Sequence, residues 1–233
     1  MAKRKEQKSS KVLENPDVLR ERLLQSEDFF VKHRNLVTSV FVVILVAIGA
    51  VVFWSFRKAK MNTEAQKNMY AAVLYFEADS LNKALEGDLK HPGLLDIAEK
   101  YSGTKSGKLA SFYIGSIYLK QGSFDKAIAA LQKFDLEDLL VQARAYALIG
   151  DAYMEEKKYD EALNYYRKAA DYKPNPEFSP AYLMKAALAA ELKNDYETAI
   201  TLYDRIINQY PRFSHLTEAK KYKARAMSII HSK

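Results

Sequence analysis

The chain has 233 residues, 36 Lys and Arg against 29 Asp and Glu, a net charge of +7, and no cysteine. The missing thiols exclude a disulfide framework, thiolate metal sites and a lipid-modified N-terminal cysteine. The positive excess does not mark a nucleic-acid binder. Residues 1–35 carry +3, Arg57, Lys58 and Lys60 add three more, and residues 61–233 stand at only +1, with no basic stripe for phosphates.

In chain order, residues 1–13 begin MAKRKEQKSSK and read as a basic, disordered tail. Residues 14–35 predict an amphipathic helix. Asn15 can cap it, Pro16 suits the first helical position and Asp17 favours the positive dipole end. Leu19, Leu23, Phe30 and Val37 fall near one face, as expected of a helix lying on a membrane surface; a docking helix for a cytoplasmic partner is the alternative.

Residues 36–56 form an apolar run without one charge, bracketed by His33 and Arg34 before it and Arg57, Lys58 and Lys60 after it. As a helix its 21 residues reach about 31 Å, the thickness of a bilayer's hydrocarbon core. Leu36, Phe41, Leu45, Trp54 and Phe56 are its large anchor side chains, with Trp54 at interface depth. A cleaved signal fits poorly, because the small residues Ala47, Gly49 and Ala50 sit mid-run. A retained single-pass anchor is expected. The basic bias before the span favours a cytoplasmic N-terminus and places the larger domain across the membrane.

From Thr63 onward the chain reads as helix. Thr63–Leu85 predicts one long helix and Gly93–Tyr101 a shorter one, broken by Gly87, His91 and Pro92. Three stretches then align: Lys108–Glu137, Ala143–Asn175 and Pro180–Pro211. Gly115, Gly150 and Ala187 are small where two helices would touch. Phe124, Tyr159 and Tyr196 open a second helix, Ala127, Ala162 and Ala199 let it approach closely, and Leu131, Tyr166 and Tyr203 follow one turn on. Pro174 and Pro211 stop it. The spacing is 35 and then 37 residues. The pattern resembles the tetratricopeptide repeat, with a period of about 34 residues. The middle copy matches best, while the first has Ser111 where a bulky aromatic is usual.

The expected fold is therefore all-α: one transmembrane helix followed by a right-handed α-solenoid of tetratricopeptide repeats. Residues 57–107 are a linker helix and divergent first repeat, 108–211 three repeats, and 212–233 a capping helix. The four histidines are scattered, and no phosphate-binding, dinucleotide or nucleophile motif occurs. The chain reads as a binding protein rather than an enzyme, with no cofactor, nucleic acid or small-molecule substrate.

In proteins with such repeats, partners lie along the first helix of each repeat. The resemblance places Leu109, Phe112, Ser116, Leu119 and Lys120 there from the first copy. It adds Arg144, Ala147, Asp151, Met154 and Glu155 from the second, and Ala181, Met184, Leu188, Glu191 and Leu192 from the third. Relatives that grip chaperone C-termini use a lysine–asparagine clamp; Phe112, Ser116 and Asp151 argue against one. The apolar members favour an apolar peptide or helix, with methionine adaptable, although several can equally be core.

A basic tail, one span and an external repeat array together resemble the bacterial YfgM-type family of ancillary Sec translocon subunits. Its most suggestive local stretch is LLDIAEKYSGTKSGKLASFYIG, Leu94–Gly115. The resemblance implies a single-pass inner-membrane protein with a periplasmic repeat domain. Its implied partners are the translocon and a membrane-anchored, prolyl-isomerase-like periplasmic chaperone. An envelope-assembly or secretion scaffold, and a cytoplasm-facing import receptor, use the same parts and stay open.

Overall fold

The computed structural model describes residues 31–232. The predicted tail 1–13 and most of the predicted helix 14–35 lie outside them. The chain divides into two units that meet at Arg57 and Lys58.

In the first unit the apolar run belongs to helix α1 (Arg34–Glu77). It contains an 18-residue window of mean hydropathy 3.0 with none of it buried, long and apolar enough to cross a membrane. The run is rich in valine and isoleucine, which are middling helix formers in water. Inside a bilayer a helix is the one solution in which a single segment pairs its own backbone groups. Its hydroxyls are paired as well: Thr38 and Ser39 donate to the carbonyls of Arg34 and Asn35 at 2.7 and 2.8 Å.

The second unit starts at Lys58 and holds the rest of α1, whose Ala65, Met69 and Ala72 are buried. It continues with α2 (Leu81–Glu86), α3 (Leu94–Lys100), α4 (Lys105–Lys120), α5 (Phe124–Gln132) and α6 (Val141–Glu155). Next come α7 (Tyr159–Asp171), α8 (Ser179–Leu192), α9 (Tyr196–Gln209) and α10 (Leu216–His231). The predicted openings of the second helices at Phe124, Tyr159 and Tyr196 are where α5, α7 and α9 begin. Thr104 and Asp195 cap α4 and α9 by accepting the N–H groups of Gly107 and Thr198.

One turn recurs four times. Asp79, Gly122, Lys157 and Asn194 take the left-handed conformation at φ 55, 72, 58 and 66°. Each donates its N–H to the carbonyl three residues back, and the next residue donates to the carbonyl five back. Gly122 reaches Leu119 at 3.1 Å and Ser123 reaches Tyr118 at 2.8 Å; Asp79 reaches Phe76 at 3.1 Å and Ser80 reaches Tyr75 at 2.8 Å. This pairing satisfies the last carbonyls of the first helix and reverses the chain. Seven residues before each turn residue stands a small one: Ala72, Gly115, Gly150 and Ala187. Five after it stands a fully buried alanine: Ala84, Ala127, Ala162 and Ala199.

This turn corrects one expectation. Thr63–Leu85 is not a single helix. It breaks at Asp79, so the end of α1 and α2 form a hairpin of the same construction as the three that follow. Its second helix is interrupted in turn. Residues 87–93 loop out, and α3 resumes the packing with Leu94 and Ile97 buried. The loop pinches at glycines: a Cβ on Gly93 would lie 2.2 Å from the Leu85 carbonyl oxygen, and one on Gly87 2.4 Å from that of His91. Asp88 ties it down by accepting from the Tyr75 hydroxyl at 2.5 Å and from the N–H groups of Lys90 and His91 at 2.7 Å each. These bonds hold the Asp88 carboxyl well below the usual carboxylate range, the Tyr75 hydroxyl contributing most.

Hydrophobic contacts run through the stack. One cluster joins α1 to α4 through Leu94, Ile97 and Ile117, a second joins α5 and α6 through Leu131, Phe134 and Ile149, and a third joins α7 to α10 through Leu183, Tyr203 and Ile206. α10 lies within the residues expected to form a cap, with Ala219 and Ala226 buried, Lys220 and Lys221 exposed, and Lys223 paired with Asp204 of α9.

Candidate functional site: the face of the first helices

The shared turn brings the first helices α4, α6 and α8 into register, so equivalent positions form rows across the stack. Where α4, α6 and α8 meet, a cleft of about 620 Å³ opens. Leu119, Met154, Leu188 and Phe124 supply its apolar lining, and Asp151 and Lys185 its polar centre. Leu188 is 45% exposed although it is a large aliphatic residue, and so is Leu192 at 46%.

Asp151 is not a free acid. Its Oδ1 accepts the Tyr166 hydroxyl at 2.6 Å and the Lys185 ammonium at 2.7 Å. Tyr166 reaches it from the second helix of the same hairpin, Lys185 from the first helix of the next. Burial, reinforced by the Asp151 charge, pushes the Tyr166 hydroxyl well above its ordinary value. The next hairpin repeats the device. Glu191 accepts the Tyr203 hydroxyl at 2.7 Å and pairs with Arg225 of α10. Burial again raises Tyr203, and the bond to Glu191 raises Arg225. In both couples acid and base lie 34 residues apart. The carboxylates are thus neutralised from the next helix pair or from α10, and the cleft, lined also by Lys120 and Glu155, carries little net charge.

The predicted site residues separate into two groups. Leu119, Asp151, Met154 and Leu188 come together in the cleft. Glu191 lies one turn on in α8, held by Tyr203 and Arg225. Met184 is half-buried against the core and Arg144 is exposed on α6. Phe112 does not join them: its ring packs 5.5 Å from Phe134 and 5.9 Å from Tyr113, as part of the α5–α6 core. Ser116 turns its hydroxyl back to the Phe112 carbonyl at 2.9 Å. Asp151, read from the sequence as an argument against a lysine–asparagine clamp, has its charge met by Lys185.

The residue reading missed Lys185, Tyr166, Arg225 and Phe124 as parts of this face. Acid and base repeating at the repeat period was the available signal for Lys185 and Arg225, while Tyr166 and Phe124 were read only as packing positions of the repeat. Among the described residues, no three His, Asp or Glu side chains are grouped to hold a metal.

The geometry defines a class: stacked two-helix hairpins with a common turn, small residues at each crossing, and side chains of successive first helices aligned. The chain carries tetratricopeptide repeats. Residues 143–176 match one form of this repeat, and residues 109–135 and 181–212 another. Among curated proteins, "Uncharacterized protein ycf37" of Guillardia theta is 35% identical over 107 residues, covering 44% of this chain and 58% of that protein. Superkiller complex protein 3 of Homo sapiens is 25% identical over 151 residues, 64% of this chain but 9% of that protein. The chain thus spans less than two thirds of the length of either relative.

Proposed function

We propose that this protein is a membrane-tethered docking subunit whose first-helix face receives an apolar segment of a protein partner. The cleft of Leu119, Met154 and Leu188 around a neutralised Asp151 supports this most directly. An apolar surface without net charge rewards removal of apolar side chains from water and penalises an unpaired charge. The exposed apolar helix supports the tether, with Leu36, Phe41, Leu45, Trp54 and Phe56 all more than half exposed. The basic residues before it favour a cytoplasmic N-terminus and a repeat domain across the membrane.

The finer reading is an accessory subunit of the Sec translocon in a bacterial inner membrane, handing exported chains to an anchored periplasmic chaperone. The sequence arrangement of basic tail, single span and repeats supports it. The test is a mild-detergent purification of the full-length protein after cross-linking, with partners identified by mass spectrometry. Translocon subunits and a periplasmic chaperone cross-linked within residues 58–233 are the expected result. Cytoplasmic factors on those residues would overturn the topology; outer-envelope assembly factors would overturn the translocon assignment and leave the docking role.

A further inference from the structure

A second cleft, of about 680 Å³, opens between α3, α4 and α5, away from the Leu119–Leu188 cleft. Its origin shows in a comparison of two successive repeats. In the later one, Tyr146 on α6 lays its ring 6.0 Å from that of Tyr172 and 4.9 Å from the Lys168 ammonium, which also lies 5.6 Å from the ring of Tyr165. Thirty-five residues earlier, the lysine is retained as Lys133, but the three tyrosines are Ser111, Ala130 and Glu137. Ser111, Ala130 and Lys133 line the cleft. The void occupies the place where the following repeat holds an aromatic ring beneath a lysine.

Its charge is one-sided. Lys108, Lys126 and Lys133 stand around it against the single carboxylate of Glu99. Lys108 is turned to Asp135, donating to its carbonyl at 2.7 Å and pairing with its carboxylate at 3.5 Å, so the excess rests on Lys126 and Lys133. Lys126 lies over the Tyr118 ring at 5.6 Å, and among the described residues neither Lys126 nor Lys133 meets a carboxylate. Ile114 and Leu95 supply apolar walls.

We propose that this cleft is a socket for an acidic peptide segment of a partner protein that presents one aromatic side chain, the ring taking beneath Lys133 the place Tyr146 takes beneath Lys168. Burial of the ring and its contact with the ammonium give affinity, and flanking carboxylates reach Lys126 and Lys133. The socket is separate from the first-helix face, so it stands whether or not that face binds.

The probe is a fluorescein-labelled peptide with one tyrosine flanked on each side by serine and two glutamates, titrated with the full-length protein in mild detergent by fluorescence anisotropy. Replacing its tyrosine by alanine, or its glutamates by lysines, is expected to weaken binding by about tenfold or more. Ser111→Tyr fills the socket from within and is expected to lower affinity about tenfold or more. Lys133→Glu, a surface change that leaves the core intact, lowers it as well, while Leu188→Asp on the other face leaves it unchanged. Should Ser111→Tyr fail to melt cooperatively, Lys133→Glu carries the test. No binding of the probe, equal binding of the alanine peptide, wild-type binding by both socket variants, or loss of binding in Leu188→Asp would each overturn the proposal. So would a labelled fatty acid, rather than the peptide, being the ligand that Ser111→Tyr excludes.

Discussion

Gly150→Ala gives the sharpest check on how the hairpins pack. Inside a helix, alanine is favoured over glycine by about 1 kcal/mol, so an isolated α6 gains. In the folded repeat the new Cβ would lie 2.7 Å from both Cδ1 and Cε1 of Tyr166, well inside the contact distance of about 3.5–4.0 Å. Tyr166 has little room to yield. It is 2% exposed, and its hydroxyl is fixed to Asp151 at 2.6 Å. Overpacking a filled core costs about 1–3 kcal/mol. A strained or lost hydrogen bond to a carboxylate adds up to about 1.5–3 kcal/mol. A strained bond that adds about 1 kcal/mol offsets the helical gain, so the net loss is about 1–3 kcal/mol, and at about 2–4 °C per kcal/mol for a unit of this size the midpoint falls by about 2–12 °C. The assay is a calorimetric melt of residues 58–233, which hold their own core. Placing the same change in a Tyr166→Ala background removes the obstructing ring, and there Gly150→Ala should be neutral or stabilising. A Gly150→Ala protein that melts at or above the wild-type temperature would refute this account of the crossing.

Lys157→Gly should raise the melting midpoint by about 1–3 °C, because a left-handed residue with a Cβ costs about 1–2 kcal/mol and glycine's extra unfolded entropy returns only part of it; a lower midpoint would contradict the shared turn. Tyr166 and Tyr203 have folded-state values raised above their ordinary value of about 10, so their contribution is fully present below about pH 10 and is lost as the pH rises further. Melting temperature should therefore hold from neutral pH to about 9.5 and then fall, with absorbance at phenolate wavelengths showing these two tyrosines titrating only as the fold opens. A fall of the same size in Tyr166→Phe, Tyr203→Phe protein would show that other groups cause it. Leu188→Asp, at a half-exposed position, puts an unneutralised charge into the apolar cleft. Capture of cross-linked partners should drop several-fold at an unchanged midpoint, and undiminished capture would move the interface elsewhere.

The sequence by itself determined the plan of this protein. A chargeless run between Arg34 and Arg57 defines a helix long enough to span a bilayer, since no other single segment pairs its own backbone groups there. Three copies with small residues at Gly115, Gly150 and Ala187 and second helices opening at Phe124, Tyr159 and Tyr196 define stacked hairpins, since close helix crossings admit only small side chains. The break at Asp79 was not legible, because Leu81 stands where the aromatics Phe124, Tyr159 and Tyr196 open the later second helices, and α2 stops after six residues; Ala72, seven before Asp79, and Ala84, five after it, show the kinship.

Tertiary structure decided the surfaces. Helical periodicity says that Phe112, Asp151 and Leu188 lie toward the first-helix side. It does not say which neighbour covers each, because every first helix faces its own second helix, the next hairpin and water at once. Packing sends Phe112 into the core beside Phe134 and leaves Leu188 exposed. It delivers Lys185 to Asp151 across 34 residues and so turns an apparent acidic site into a neutral one. It also leaves Lys133 beside an empty place, because a serine at position 111 becomes a cavity only when the helices around it are held apart by everything else they pack against.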